Sequence, residues 1–291
     1  MTHAHPHASH HGAQHSPRHD ADPDGQAEIL DLDAEVLAEH ISAITAWLPV
    51  EREPREVVDL GCGTGTGTFA LLERYPEAHV TAVDSSAEHL RRLRDKACDA
   101  GVRERVHTVQ ADLDAADWPD LGTPDLVWAS ASMHHMSEPD RTLRSVHGLL
   151  APGGLFAVVE LAGFPRFLPE SAPEEQPGLE ARCHDASERY HAEHVSHRGA
   201  DWGPMLTAAG FAIEGERTIT VNIDGSQDAA IGRYALGTLQ RLRHSAVDSL
   251  SPRDRAALDR LLDVDGPHSI LRRGDLVVRT ERSVWAARRG K

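Results

Sequence analysis

No run of about 18 apolar residues occurs in this 291-residue chain, so no membrane-spanning helix is expected. The longest apolar stretches, such as Gly154 to Leu161, have the length of a buried strand. An apolar secretory core is missing near the N-terminus, and export is not expected. Cysteine is scarce: Cys62, Cys98 and Cys183 are scattered and odd in number. That excludes a disulfide framework and fits reduced thiols in a cytoplasmic compartment. Positive charge is in deficit, 30 basic residues against 46 acidic, for a net charge of −16. A surface that negative repels a phosphate backbone, so a nucleic-acid partner is not expected. Arg91, Arg92 and Arg94 read as a solvated helix face. At 291 residues the chain can hold one large domain or a domain with an insertion, either long enough to bury a core.

Residues 1–25 hold His3, His5, His7, His10, His11, His15 and His19 among small and polar residues. Nothing there can bury a core, and a disordered tail is expected. Metal chelation is the alternative, but the spacing is irregular and lacks a cysteine or carboxylate framework; no metal site is assigned. From Gln26 to Leu48, Ile29, Leu32, Val36, Leu37, Ile41, Ile44, Trp47 and Leu48 recur at three- and four-residue steps, the stripe of an amphipathic helix ended by Pro49. Strands are then predicted near 56–60, 79–84, 105–110, 125–130 and 154–161, with helices near 65–74, 87–100 and 139–150. Alternation of apolar strands with helices predicts a parallel sheet covered on both faces.

The sharpest local signal is Val57-Val58-Asp59-Leu60-Gly61-Cys62-Gly63-Thr64-Gly65, at the first strand-to-helix turn. Small residues there let the backbone turn sharply and approach a ligand closely. The dinucleotide spacing G-x-G-x-x-G fails, because Thr66 stands where the third glycine belongs. Asp59 also places a carboxylate at the strand end, suited to a ligand with a cationic amino group.

Asp59 through Gly65 resembles the glycine-rich first motif of class I S-adenosylmethionine-dependent methyltransferases. Asp84 ends the second predicted strand, where that family carries an acid that grips the ribose hydroxyls; an ordinary role beside a Ser85 or Ser86 helix cap is the alternative. Asp112 and Leu113 follow the third strand, where the family meets the adenine; Asp112 could instead cap a turn. Asp125 to Met136 resembles the fourth strand and active-site rim of the small-molecule branch, and Leu149 to Gly154 the turn into the fifth strand. The likeness spans roughly 55–162. It implies a Rossmann-like, mostly parallel seven-stranded α/β sheet with helices on both faces, with helical lid insertions in this chain. The cofactor implied is S-adenosyl-L-methionine, with S-adenosyl-L-homocysteine as product. The binding set implied is Asp59, Gly61, Cys62, Gly63, Thr64, Gly65, Asp84, Ser85, Asp112, Leu113 and Ala129. Cys62 reads as a small packing residue. His134 or His135 could serve as a general base or shape the pocket.

Boundaries follow: the tail at 1–25, a capping helix at 26–50, the cofactor-binding core at 51–162, a lid or substrate segment at 163–200, and the rest of the sheet at 201–291, carrying a helical insert at 227–262. The segment 163–200 also holds Cys183, His184, His191, His194 and His197, either solvated helix positions or a metal or substrate cluster. Trp128, Met133, His134 and His135 are expected to floor an acceptor pocket, with Phe164, Phe167 and Tyr190 as walls. The expected activity is methyl transfer to a small organic acceptor by in-line displacement, driven by positioning and water exclusion. A non-catalytic or repurposed member of the family and, further off, a nicotinamide-dependent oxidoreductase are the alternatives. Oligomeric state is not readable.

Overall fold

The computed structural model describes residues 23–194, 197–225 and 228–290. The tail histidines lie outside the described residues, as do the side chains of His191 and His194. Seven strands form one sheet in the order β3-β2-β1-β4-β5-β7-β6. The five parallel strands are β1 (Glu56–Leu60), β2 (His79–Asp84), β3 (Val106–Gln110), β4 (Leu126–Ser130) and β5 (Leu155–Leu161). Their order reverses between β1 and β4, the place where open α/β sheets leave a crevice at the carboxyl ends of the strands. Two-residue alternation splits the core between the faces. Val57 and Trp128 pack on one side with α2 (Ala38–Trp47) and α3 (Thr66–Arg74). Val58, Leu60 and Val127 pack on the other with Leu143 and Val146 of α5 (Pro139–Leu149).

The sheet ends in a long antiparallel pair. β6 (Phe211–Asp224) runs against β7 (Val277–Arg289) from Phe211↔Arg289 to Asp224↔Val277, and β7 also pairs β5. The expected helical insert is spliced into the far end of this hairpin, where the Gly225 N–H donates to the Leu276 carbonyl. Two expected helices are each divided. The insert forms α8 (Ala229–Ala246) and α9 (Pro252–Leu262), with Ser251 accepting the Asp254 N–H as the second N-cap. The N-terminal stripe forms α1 (Pro23–Val36) and α2, broken at Leu37, whose ψ is 11°. No proline or glycine causes that break. The halves serve different cores: Leu32 packs into a helical cluster, while Leu37, Ile41 and Ile44 pack on the sheet.

The helical cluster joins α1, α6 (Leu179–His194), α8 and α9 around Leu179, Cys183, Tyr234, Leu239 and Leu258. Phe167, Leu168, Ala172, Leu179, Cys183 and Ala186 of segment 163–200 therefore belong to a core. Phe167, expected on a pocket wall, is fully buried there, its ring edge-on to Tyr234 at 5.2 Å. The Glu180 carboxylate pins that stretch by accepting the N–H groups of Phe167 and Leu168 at 2.8 and 2.9 Å. Truncation of a buried phenylalanine leaves a cavity in such a core. Phe167→Ala is expected to cost about 3–5 kcal/mol in urea unfolding; a loss below about 1 kcal/mol would mean that the ring packs loosely.

Candidate active site

A cavity of about 560 Å³ opens at the carboxyl ends of β1, β2, β4 and β5, covered by α1 and the helical layer. Gly61, Cys62, Gly63, Thr64, Asp84 and Ser85 line one part of it, with Asp112 and Leu113 beside them. His134, His135 and Phe164 line another part.

The glycine loop is shaped by the protein itself. Gly61, Gly63 and Gly65 all have positive φ, at 69°, 53° and 102°, a region L side chains rarely adopt. A Cβ on Gly61 would also lie 2.4 Å from the Cβ of Ser132, so the first and fourth strand ends touch there. The loop's donors are mostly spent. The N–H groups of Gly61 and Cys62 both donate to the Val83 carbonyl, Gly65 donates to Cys62, and Gly63 donates to an Asp84 carboxylate oxygen at 2.9 Å. A pyrophosphate needs such N–H groups free and would face the Asp84 charge. The loop is thus poorly suited to a nicotinamide dinucleotide.

Asp84 is 8% exposed. Its other oxygen accepts the Ser86 N–H at 2.8 Å and lies 3.3 Å from His89 Nδ1. Burial raises its pKa, but the His89 contact and the Ser86 and Gly63 N–H groups outweigh burial and hold it below the usual carboxylate range. Ser86 caps α4 (Ala87–Asp99), accepting the His89 N–H, so the helix-cap reading of this turn holds with Asp84 beside it. Asp112 is exposed, and its carboxylate accepts the Asp114 N–H at 2.9 Å while facing the cavity. Thr64 Oγ1 is buried without a hydrogen-bond partner. The Cys62 thiol is pushed well up by burial and by Asp59 and Asp84, which leaves it a packing residue.

His134 and Glu160 form a pair that sequence reasoning missed. His134 Nδ1 lies 2.6 Å from one Glu160 oxygen, and the other accepts the N–H groups of Met133 and His134 at 2.8 and 3.3 Å. Both side chains are buried, 3% and 2% exposed. With Nδ1–H donated to the carboxylate, Nε2 is left as an acceptor. The available signal was a lone acid inside the buried strand 155–161. The His135 ring lies against His134, centroids 4.1 Å apart. Arg198, Arg241 and Arg282 also line the cavity and were not foreseen.

Other expected residues stand elsewhere. Asp59 and Trp128 face the α3 layer because strand alternation turns them from the cavity; Asp59 accepts the Thr68 hydroxyl at 2.7 Å. Gly65 sits at the N-cap of α3, against Phe69 and Leu93. Ala129 and Met133 are fully buried in the α5-side core, and Tyr190 is 37% exposed on α6 outside the cavity lining. Cys183 lies in the helical core, its thiol pushed up to about 12 chiefly by burial. Burial lowers the neighbouring His184 to about 3.

Residues 57–154 match the family model described as a methyltransferase domain. A trans-aconitate 2-methyltransferase of Acidovorax sp. is 39% identical over 108 residues, covering 36% of this chain and 38% of the relative. The chain spans 27% to 42% of the length of curated relatives it matches. Among solved structures, a Bacillus halodurans protein assigned to the methyltransferases is similar with a TM-score of 0.55 at 17% identity, covering 86% of this chain and 99% of that one. The [4+2]-cyclase SpnF is similar with a TM-score of 0.50 at 20% identity, over 87% and 82%. Over residues 57–154 the chain is thus similar to methyltransferase domains.

Burial, aided by the Asp84 charge and opposed by the Thr68 hydroxyl, raises Asp59 from 3.8 to about 7. The folded chain then keeps a proton that the unfolded chain releases between about pH 4 and 7, so this group lowers stability as pH rises through that window. Asp59→Asn lacks the effect. The melting temperature of the variant relative to the parent should rise between pH 5 and pH 8. A pH-independent difference would show that Asp59 titrates normally.

Proposed function

We propose that the protein transfers a methyl group from S-adenosylmethionine to a small organic acceptor bound in this cavity. The observation that carries the reading is the single cavity joining the Gly61–Thr64 loop and Asp84 to the buried His134–Glu160 pair. The residues present fit the cofactor. Asp84 is an anion with acceptor capacity to spare for a diol, Asp112 is free to face an amino group, and the orphaned Thr64 hydroxyl lies in the same wall. Gly61, Cys62, Gly63 and Thr64 would hold the amino-acid end, Asp84 and Ser85 the ribose, Asp112 and Leu113 the adenine. When bound, the cofactor supplies an electrophilic methyl group on a sulfonium whose departure leaves a neutral thioether.

The chain's own tasks are then positioning, dehydration and, for a hydroxyl acceptor, proton removal. The helical layer and α1 cover the site, with Gln26, Leu30 and Asp33 reaching it. Exclusion of water and orientation of the reactants lower the barrier most in such a displacement. His134 Nε2 accepts the acceptor's proton, and the Glu160 carboxylate, fixed by two backbone N–H groups, stabilises the imidazolium that results. An acceptor that enters already deprotonated needs no such step.

The relative named above methylates a small carboxylic acid by its name, which accords with a small acceptor here. A neighbour named as a cyclase is a reminder that this fold hosts other reactions. Calorimetry should therefore come first: S-adenosylhomocysteine binds, NADH does not, and Asp84→Ala weakens the former by at least about tenfold, the scale of one charge-assisted hydrogen bond. NADH binding more tightly would sink the reading. With a hydroxyl acceptor and labelled methyl donor, His134→Ala should lower kcat by roughly 10²–10⁴, with S-adenosylhomocysteine affinity little changed.

A further inference from the structure

Three arginines converge on one cavity in a chain of net charge −16. Arg282 of β7 is neutralised: it donates to Asp33 at 2.8 Å, and Asp33 also accepts the Tyr234 hydroxyl. Arg198, in the turn after α6, and Arg241, on α8, differ. Neither guanidinium has a carboxylate partner or a hydrogen bond among the described residues, and Arg198 Nε is buried without a partner. Both stand over the face of Phe164, their Cζ atoms 4.2 and 5.8 Å from the ring centroid. A cation–π contact orients a guanidinium without neutralising it. Burial lowers the pKa of the half-buried Arg198 to about 10, with Arg241 adding repulsion and Glu160 partly relieving it. Arg198 is half-buried and Arg241 is exposed in the cavity wall, and two like charges set close together there favour an anion that joins them. A cationic methyl donor in the same cavity would add to the repulsion.

We propose that Arg198 and Arg241 bind an anionic group of the methyl acceptor, a carboxylate or a phosphate. The planar guanidinium fork matches either group with paired N–H donors. Phe164 holds the two forks in place and supplies an apolar surface beside the anion. The acceptor class is thus a small organic acid, anchored by its charge while its nucleophilic atom meets the methyl group. This specificity rests on the methyltransferase reading of the cavity.

The test uses the whole chain saturated with S-adenosylhomocysteine, titrated with benzoate, phenyl phosphate and neutral benzamide in parallel, for the parent protein, Arg198→Gln and Arg241→Gln. At least one anion should bind the parent more tightly than benzamide, and each substitution should weaken that anion at least about tenfold. Which anion binds identifies the group. Equal binding of benzamide, no binding of either anion, or anion binding unchanged in both variants would overturn the proposal. A tenfold loss of S-adenosylhomocysteine affinity in the variants would also overturn it, assigning the arginines to the cofactor's own carboxylate. Failure of S-adenosylhomocysteine to bind the parent would instead bring down the underlying methyltransferase reading.

Discussion

The carboxylate of Asp84 ties together the parts on which the site depends. It accepts one N–H from the loop after β1 and one from the turn after β2, and it meets His89 on α4. Parallel strands do not hydrogen-bond through their loops, so the relative placement of two strand ends must come from such a bridge or from packing. Here the bridge is an anion in a nearly closed setting, where its interactions are strong. Gly63 reaches it only because the loop adopts left-handed conformations at Gly61 and Gly63. The same geometry spends the loop's N–H groups on protein acceptors. A loop built this way has few N–H groups free for a phosphate and sets the Asp84 carboxylate in the cavity wall beside it.

Much of this frame was legible because its causes are local. The strand-helix alternation and the glycine positions follow from periodicity and φ requirements, and predicted and observed strand limits agree within a residue through β5. The helix after residue 227 divides at a Ser-Pro-x-Asp sequence, an N-cap with proline at the first helical position; that signal is local and legible, although a single helical segment is the expectation it overturns. The break at Leu37 has no such signal, since tertiary packing alone directs the two halves to different cores.

The candidate site was legible where a residue's role is set by its strand end and illegible where it depends on which way a side chain turns. Trp128 lies one residue before Ala129 and two before Ser130, yet faces the opposite layer from the cavity's chemistry. His134 was identified from its place after β4, but Glu160 stands on another strand, and only the β4–β5 register brings the two together. Arg198, Arg241 and Arg282 come from a turn, an inserted helix and the last strand. Their convergence is a property of the helical layer's packing, which no spacing in the sequence encodes.

That layer contributes more than cover. Its core around Phe167, Tyr234 and Leu239 fixes α8, the helix that carries Arg241. A rigid mount matters because like-charged guanidiniums on mobile loops would swing into solvent rather than remain together. Asp59 is a buried acid without a cation, and Thr64 Oγ1 and Arg198 Nε are buried without partners, as are Tyr75 Oη and Trp202 Nε1 away from the cavity. Thr64 and the arginines line the cavity, and Asp59 lies behind the loop that forms its edge. The unpartnered groups in this wall cost stability that a well-paired interior would keep, and such costs persist where binding recovers them. The charge pattern of the wall, acidic beside the loop and basic around Phe164, is then complementary to a pair of ligands of unlike charge held side by side.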